Sequence, residues 1–252
     1  IPLIIDNTAS PVICKPIEHG AAVVMHSLTK YIGGHGTSIG GIIVDGGNFD
    51  WVKDPKRQPL MNQPDPSYNG AIWGRDVPKL TGANVAFAIR ARVVLLRDLG
   101  AALSPFNAFQ IIQGLETVAI RMKQHCANAE KVVKFLETQK KVKNIIYPTN
   151  HQGEIRERAK RYLSGGYGAL VGIDLGTKEA GAKFIDSLKL LYHVANIGDA
   201  RSLAIHPATT THSQLDDKQL AEAGVTPGYV RLSIGIEHPD DIIADIKQAL
   251  AA

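Results

Sequence analysis

Cysteine is almost absent from this chain. Cys14 and Cys126 are the only two in 252 residues, and neither sits in a CxxC or Cys/His spacing. That removes a disulfide framework and a zinc site from the readings and fits a reducing cytoplasm. Long apolar runs are missing too. No stretch approaches the roughly 20 residues of a membrane span, and no charged lead, apolar segment and cleavage site mark a secretory signal, so a soluble protein away from membranes is expected. Charge of one sign is nowhere concentrated. The 28 Lys and Arg against 24 Asp and Glu leave a formal +4, spread along the chain without a basic stripe interleaved with aromatics, and nucleic acid is not expected as a partner. No internal repeat or low-complexity tract appears.

What the chain does have is core material and punctuation. Hydrophobic residues make up 44% and charged residues 21%, with 24 glycines and 13 prolines, enough for one large domain or two small ones. "IPLIID" at 1–6 opens without Met and reads as a fully buried parallel strand with no solvated lead-in, so an upstream segment supplying neighbouring strands is expected. "AAVVMHSL" reads as a second strand ending near Ser27, and "IGGIIV" as a third, closed by a turn at Asp45-Gly46-Gly47. Residues 48–80, rich in proline and carrying Trp51, Tyr68 and Trp73, read as loops with at most one short helix. Helical spacing returns over Asn84 to Leu99 with Gly100 as C-cap. Ser104 followed by Pro105 marks the start of a long helix, or a bent pair, that bridges two domains. Beyond it, strands are expected at "VKNIIYP", "GALVGIDL", "LYHVANI", "SLAIHP" and "YVRLSIG". Helices are expected near 153–164 and from Lys178 to Leu188, and an amphipathic helix from Pro239 closes the chain. Such alternation indicates a small α/β sandwich.

The stretch "MHSLTKYIGGHG" at 25–36 carries the chemistry. Lys30 on its own reads as a solvated strand-end lysine. Its neighbours change that. Ser27 and Thr29 lie two apart, so in extended chain their hydroxyls point the same way, and Gly33, Gly34 and Gly36 leave room and free backbone N–H groups suited to a phosphate. A lysine beside a phosphate pocket suits pyridoxal 5′-phosphate, whose aldehyde forms an imine with an amine kept partly unprotonated by desolvation. Asp6 stands at the carboxyl end of the adjacent strand, where open α/β sheets bind ligands, and a carboxylate there can pair with a protonated pyridine nitrogen. Taken alone, Asp6 would also serve as an ordinary turn cap.

"DNTASPVICKPIEHGAAVVMHSLTKYIGGHG" resembles the Cys/Met-metabolism family of fold-type I pyridoxal-phosphate enzymes, whose active-site pattern runs from D-N-T to S-x-T-K-Y-x-x-G-H. The likeness continues through "RDLGAALSPFNAFQIIQGLETVAIRM", "NIGDARSLAIHPATTTHSQL" and "YVRLSIGIEHPDDIIADIKQAL" and so covers nearly the whole chain. The resemblance implies an α/β fold: the C-terminal portion of an aminotransferase-like large domain over 1–105, then a linking helix and a small C-terminal α/β domain over 106–252. It implies that Lys30 is the imine-forming lysine and proton shuttle, Asp6 the pyridinium partner, and Ser27 and Thr29 the phosphate-binding hydroxyls. Arg231 matches the arginine that grips the substrate α-carboxylate, a role suited to a planar guanidinium. Asn196 is placed near that carboxylate, and Ser202 is a further candidate. His206 and His212 lack a third ligand in pattern, so no metal is expected and both read as hydrogen-bonding loop residues.

"Asn196-Ile197-Gly198-Asp199" resembles the O-acetylhomoserine sulfhydrylase branch of the family. The implied reaction is γ-replacement on O-acetyl-L-homoserine by sulfide or a small thiol, giving homocysteine or methionine, in a cytoplasmic homotetramer built as a dimer of dimers. A cystathionine γ-synthase or γ-lyase of the same family would use the same lysine. Outside that class, an inactive remnant serving in oligomerisation or ligand binding, or a simple phosphate-binding protein, would also carry parts of the pattern. The family's cofactor-stacking tyrosine, glycine-containing phosphate loop and the Tyr/Arg pair donated by a neighbouring subunit are expected upstream of Ile1.

Overall fold

The computed structural model describes residues 1–252, apart from the side chains at positions 217 and 221. Strands β1 (Ile4–Asp6), β2 (Val23–Ser27) and β3 (Gly41–Asp45) form a three-stranded sheet in that order. β1 pairs parallel with β2, placing Asp6 beside Met25, and β3 runs antiparallel to β2, placing Ile43 beside Met25 and Gly41 beside Ser27. Side chains alternate across a strand, so Asp6, Met25, Ser27 and Ile43 share one face, while Val24, His26 and Val44 share the other. The upstream strands expected to cover the first strand are not in this chain. β1 is the edge of this sheet, with Leu3 and Ile4 about half exposed, because among the described residues it has a strand neighbour on one side only.

Residues 48–80 also hold more order than expected. Helix α1 (Pro59–Asn62), a 3₁₀ turn at Pro66–Tyr68 and helix α2 (Trp73–Thr81) fold there, around Trp51, Met61, Trp73 and Val77, which form a core with Ala22, Val23 and Ala86. The proline-rich composition hid them because Pro59 and Pro66 each occupy a first helical position, where the missing N–H costs nothing. Helix α3 (Ala86–Arg90), a π-wound stretch Ala91–Leu96 and helix α4 (Arg97–Leu99) then run on to Gly100, whose φ of 72° ends the rod.

Helix α5 (Pro105–Leu136) is a single rod with Ser104 and Pro105 at its start. After it come β4 (Asn144–Ile146), α6 (Gly153–Tyr162), β5 (Leu170–Asp174), α7 (Lys178–Ser187), β6 (Tyr192–His193), β7 (Leu203–Ile205), α8 (Asp217–Glu222), β8 (Tyr229–Ser233) and α9 (Pro239–Ala251). Of these only α8 was not anticipated. The strands form one sheet, ordered β4-β5-β8-β7-β6, antiparallel except for the parallel pair β6/β7. Val171 and Ile173 of β5 with Val230 and Leu232 of β8 are fully buried, in one core with residues of α5, α7 and α9. Burying each such side chain contributes about 1.5–3 kcal/mol. Period-two alternation then turns Tyr229, Arg231 and Ser233 to the opposite face.

α5 ties the two sheets together. Near its middle, Arg121 donates to the carbonyls of Tyr31 and Ile32, next to Lys30. One turn later His125 Nδ1 donates to Ile234 O, and a further turn on Asn128 donates to the carbonyls of Gly235 and Glu237, just past β8.

Candidate active site

Asp6 ends β1, and its Oδ1 accepts the amide of Thr8 at 3.0 Å. The Thr8 hydroxyl and then its amide hold the Asp6 carboxyl below its ordinary range, with His26 adding a smaller effect, so it stays ionised near neutrality. The same hydroxyl oxygen accepts the Ser27 amide at 2.8 Å. Thr8 therefore stitches the carboxylate to the end of β2. No separate signal singled out Thr8, although it lies inside the D-N-T pattern and two residues past an Asp is the usual partner in an Asx turn.

Past β2 the chain winds into a tight turn. Lys30 N donates to Ser27 O, Gly33 N to Leu28 O and Gly34 N to Lys30 O. Lys30 leaves this turn half-buried and donates through Nζ to Asn196 Oδ1 at 2.5 Å. Arg231, on the open face of β8, donates from Nη2 to the backbone oxygen of Asn196 at 3.3 Å. Positions 30, 196 and 231 thus meet across the two sheets, with Asn196 between the amine and the guanidinium. Burial, and then the charge of Arg231, lower the basicity of Lys30, which enlarges the fraction of amine able to act as nucleophile or base. Gly36 has a φ of +64°, which favours glycine, and a Cβ there would press on Asp199 at 3.1 Å.

The other candidates are placed as follows. Thr29 is half-buried, and its hydroxyl faces Gly40, accepting the Gly40 amide at 3.1 Å and donating to its carbonyl at 3.4 Å. A phosphate would share that hydroxyl. Ser202 does not reach the site. It is fully buried, donates to Glu237 Oε2 and accepts the Gly235 amide, so its hydroxyl is already engaged. His206 is buried between Thr209 Oγ1 and Pro227 O, and His212 lies against Thr211 Oγ1. The face carrying Asp6 is open. A 440 Å³ cavity lies behind the sheet, lined by Val24, His26, Val44, Ile32, Leu115 and Val118 among others.

In kind, these donors fit pyridoxal phosphate: an amine of lowered basicity for its aldehyde, a carboxylate held ionised for its ring nitrogen, and strand-end hydroxyls for its phosphate. Residues 1–251 match the family model described as Cys/Met metabolism PLP-dependent enzyme, and the chain belongs to that family. It is 51% identical over 257 residues to the O-acetyl-L-homoserine sulfhydrylase of Leptospira meyeri, an alignment covering 99% of this chain and 58% of the relative. It is 46% identical over 253 residues to the homocysteine synthase of Schizosaccharomyces pombe, with 99% and 58% covered. The crystal structure of a Campylobacter jejuni protein assigned as an O-acetylhomoserine (thiol)-lyase, which carries a pyridoxyl-lysine phosphate at its position 205, superposes with a TM-score of 0.90. The identity is 41%, covering 100% of this chain and 59% of that one. The chain therefore spans somewhat more than half the length of these relatives.

Proposed function

We propose that this chain carries the lysine and the substrate-carboxylate arginine of an enzyme performing γ-replacement on O-acetyl-L-homoserine, with sulfide or a small thiol as acceptor. One observation carries the proposal: the Lys30 amine and the Arg231 guanidinium both bond to Asn196. That spacing suits an amino acid held by its carboxylate with its α-carbon beside the amine. The names of the relatives support the substrate.

In this reading Arg231 takes both oxygens of the substrate carboxylate, and Asn196 yields its contact with Lys30 to the incoming amino acid. Lys30, kept low in basicity, removes the proton from Cα and carries it along the substrate. When bound, the cofactor supplies an electron sink for the charge left on Cα. Asp6 holds its negative charge where a protonated ring nitrogen is stabilised, and the hydroxyls of Ser27 and Thr29 orient the phosphate. The net change breaks the Cγ–O bond, releases acetate and forms a Cγ–S bond. Sulfide gives homocysteine and methanethiol gives methionine. Residues 1–105 act as the cofactor-binding part and 106–252 as the linking helix and small domain, in a cytoplasmic homotetramer of two dimers.

Borohydride reduction in the presence of pyridoxal phosphate, followed by peptide mass analysis, tests the assignment. A phosphopyridoxyl label on Lys30 is expected, and labelling spread over surface lysines instead would reject it. Homocysteine formation from O-acetyl-L-homoserine and sulfide tests the reaction, and a preference for cysteine with cystathionine as product would overturn the acceptor.

A further inference from the structure

Arg121 lies on the buried stripe of α5, between Val118 and Met122, and is only 6% exposed. Its guanidinium donates to Tyr31 O at 2.6 Å, Ile32 O at 2.9 Å, Gly114 O at 2.7 Å and, through Nε, Thr117 Oγ1 at 3.2 Å. Each of these acceptors is neutral, and no ion pair to Arg121 occurs among the described residues. A buried cation is costly, and burial lowers its hold on the proton, so keeping one here calls for a specific task. The task is visible in the acceptors. Tyr31 and Ile32 sit in the tight turn that presents Lys30, and carbonyls at the end of such a turn have no partner within it. The helix side is shaped to match. A Cβ at Gly114 would lie 2.3 Å from Gly33 O and 2.6 Å from Ile32 O, and one at Gly34, whose φ is +75°, would lie 2.3 Å from Arg121 Nη1.

We propose that Arg121 is a positioning residue for Lys30: its planar fork clamps the carbonyls of the two residues after the lysine against the glycine notch of α5 and so sets where the amine stands. A lysine at 121 would keep the charge but offer no fork, so it cannot hold two carbonyls in one plane. The inference rests on the reading of Lys30 as the reacting amine, but its test needs neither cofactor nor substrate.

The probe is trace acetylation by acetic anhydride across a pH series, with the Lys30 peptide quantified by mass. In the unmodified chain the Lys30 midpoint is expected below that of a solvated lysine. In Arg121→Gln and Arg121→Lys, freed from the clamp, it is expected to move up toward that of a solvated lysine, with circular dichroism unchanged. Gly114→Ala, which leaves the guanidinium in place but pushes the turn off the helix, is expected to shift it in the same direction. An unshifted midpoint in Arg121→Gln with the fold intact overturns the proposal, and wild-type behaviour of Arg121→Lys overturns the fork. Loss of the fold in all three variants would make the clamp a folding element and overturn it equally. Failure of the enzymatic reading would appear separately, as absent phosphopyridoxyl labelling of Lys30 in the unmodified chain.

Discussion

At the scale of single residues, the site is a matter of charges placed near one amine. Arg231 contributes to the lowered basicity of Lys30, so Arg231→Gln is expected to raise the pH at which Lys30 becomes reactive, read by the same acetylation series. In the proposed role the same change also removes a charge-assisted contact to the substrate carboxylate, worth about 1.5–3 kcal/mol, and should raise KM roughly 10- to 100-fold. A second residue-scale expectation concerns Gly198. Its φ is +70° and a Cβ there would meet the Tyr31 ring at 2.6 Å. Gly198→Ala is therefore expected to cost about 1–3 kcal/mol in a denaturation curve. Lys30 and Asp6 stand out only with their neighbours, the hydroxyls and glycines of 27–36 and the D-N-T pattern, and Arg231, in the middle of β8, only through the family resemblance. Arg121 draws no notice in the sequence, and its place among the buried positions of α5 comes from the structure. Ser202 is not legible. Nothing in "ARSLAI" reveals that its hydroxyl is taken by Glu237, thirty-five residues later.

At the scale of elements, two helices hold the small domain through buried titratable groups. His125 on α5 donates from Nδ1 to Ile234 O, and burial pushes its pKa down from 6.5 to about 4. The unfolded chain thus takes up this proton first. Stability is full above about pH 6.5, is lost as pH falls toward 4, and levels off below. The loss is on the order of 3 kcal/mol at 1.36 kcal/mol per unit. Thermal melts across that range should show the fall, and His125→Asn, which keeps a donor near the Nδ1 position, should flatten it. On α9, burial pushes the Asp245 carboxyl up, but the amides of Leu191, Lys189 and Leu190 and the side chain of Gln248 outweigh this and hold it low. Its contribution is present above about pH 3.8 and fades as pH drops through the lower folded value. Asp245→Asn turns donors toward donors and should cost about 2 kcal/mol, measured by urea denaturation at neutral pH. Most elements are legible from local signals, α5 from its Ser104-Pro105 start and α9 from its amphipathic spacing after Pro239. The short helices of 48–80 are not, because their order comes from Trp51, Trp73 and Met61 closing a core with β2, a contact between segments that no local window contains.

At the scale of the whole molecule, the three-stranded sheet leaves apolar side chains uncovered on both faces. Ile4, Met25, Ile42, Ile43 and Val44 are each at least 40% exposed, and Phe106, Phe109 and Ile112 of α5 more than half. Patches of that extent drive association. The isolated chain is expected to bind a hydrophobic dye and to self-associate with rising concentration, checked by sedimentation velocity, and a concentration-independent monomer would contradict it. The sequence reading of "IPLIID" as buried on both sides senses the same property from the other direction, since the apolar character is there and the cover is not among the described residues.

Arg121 grips the lysine turn and Asn128, seven residues on, grips the chain just beyond Arg231, so in the proposed reading the amine and the carboxylate-binding arginine are held by the same two turns of one helix. Their separation behaves as a fixed gauge. On the proposed function, a substrate one methylene longer or shorter is expected to fit this gauge less well.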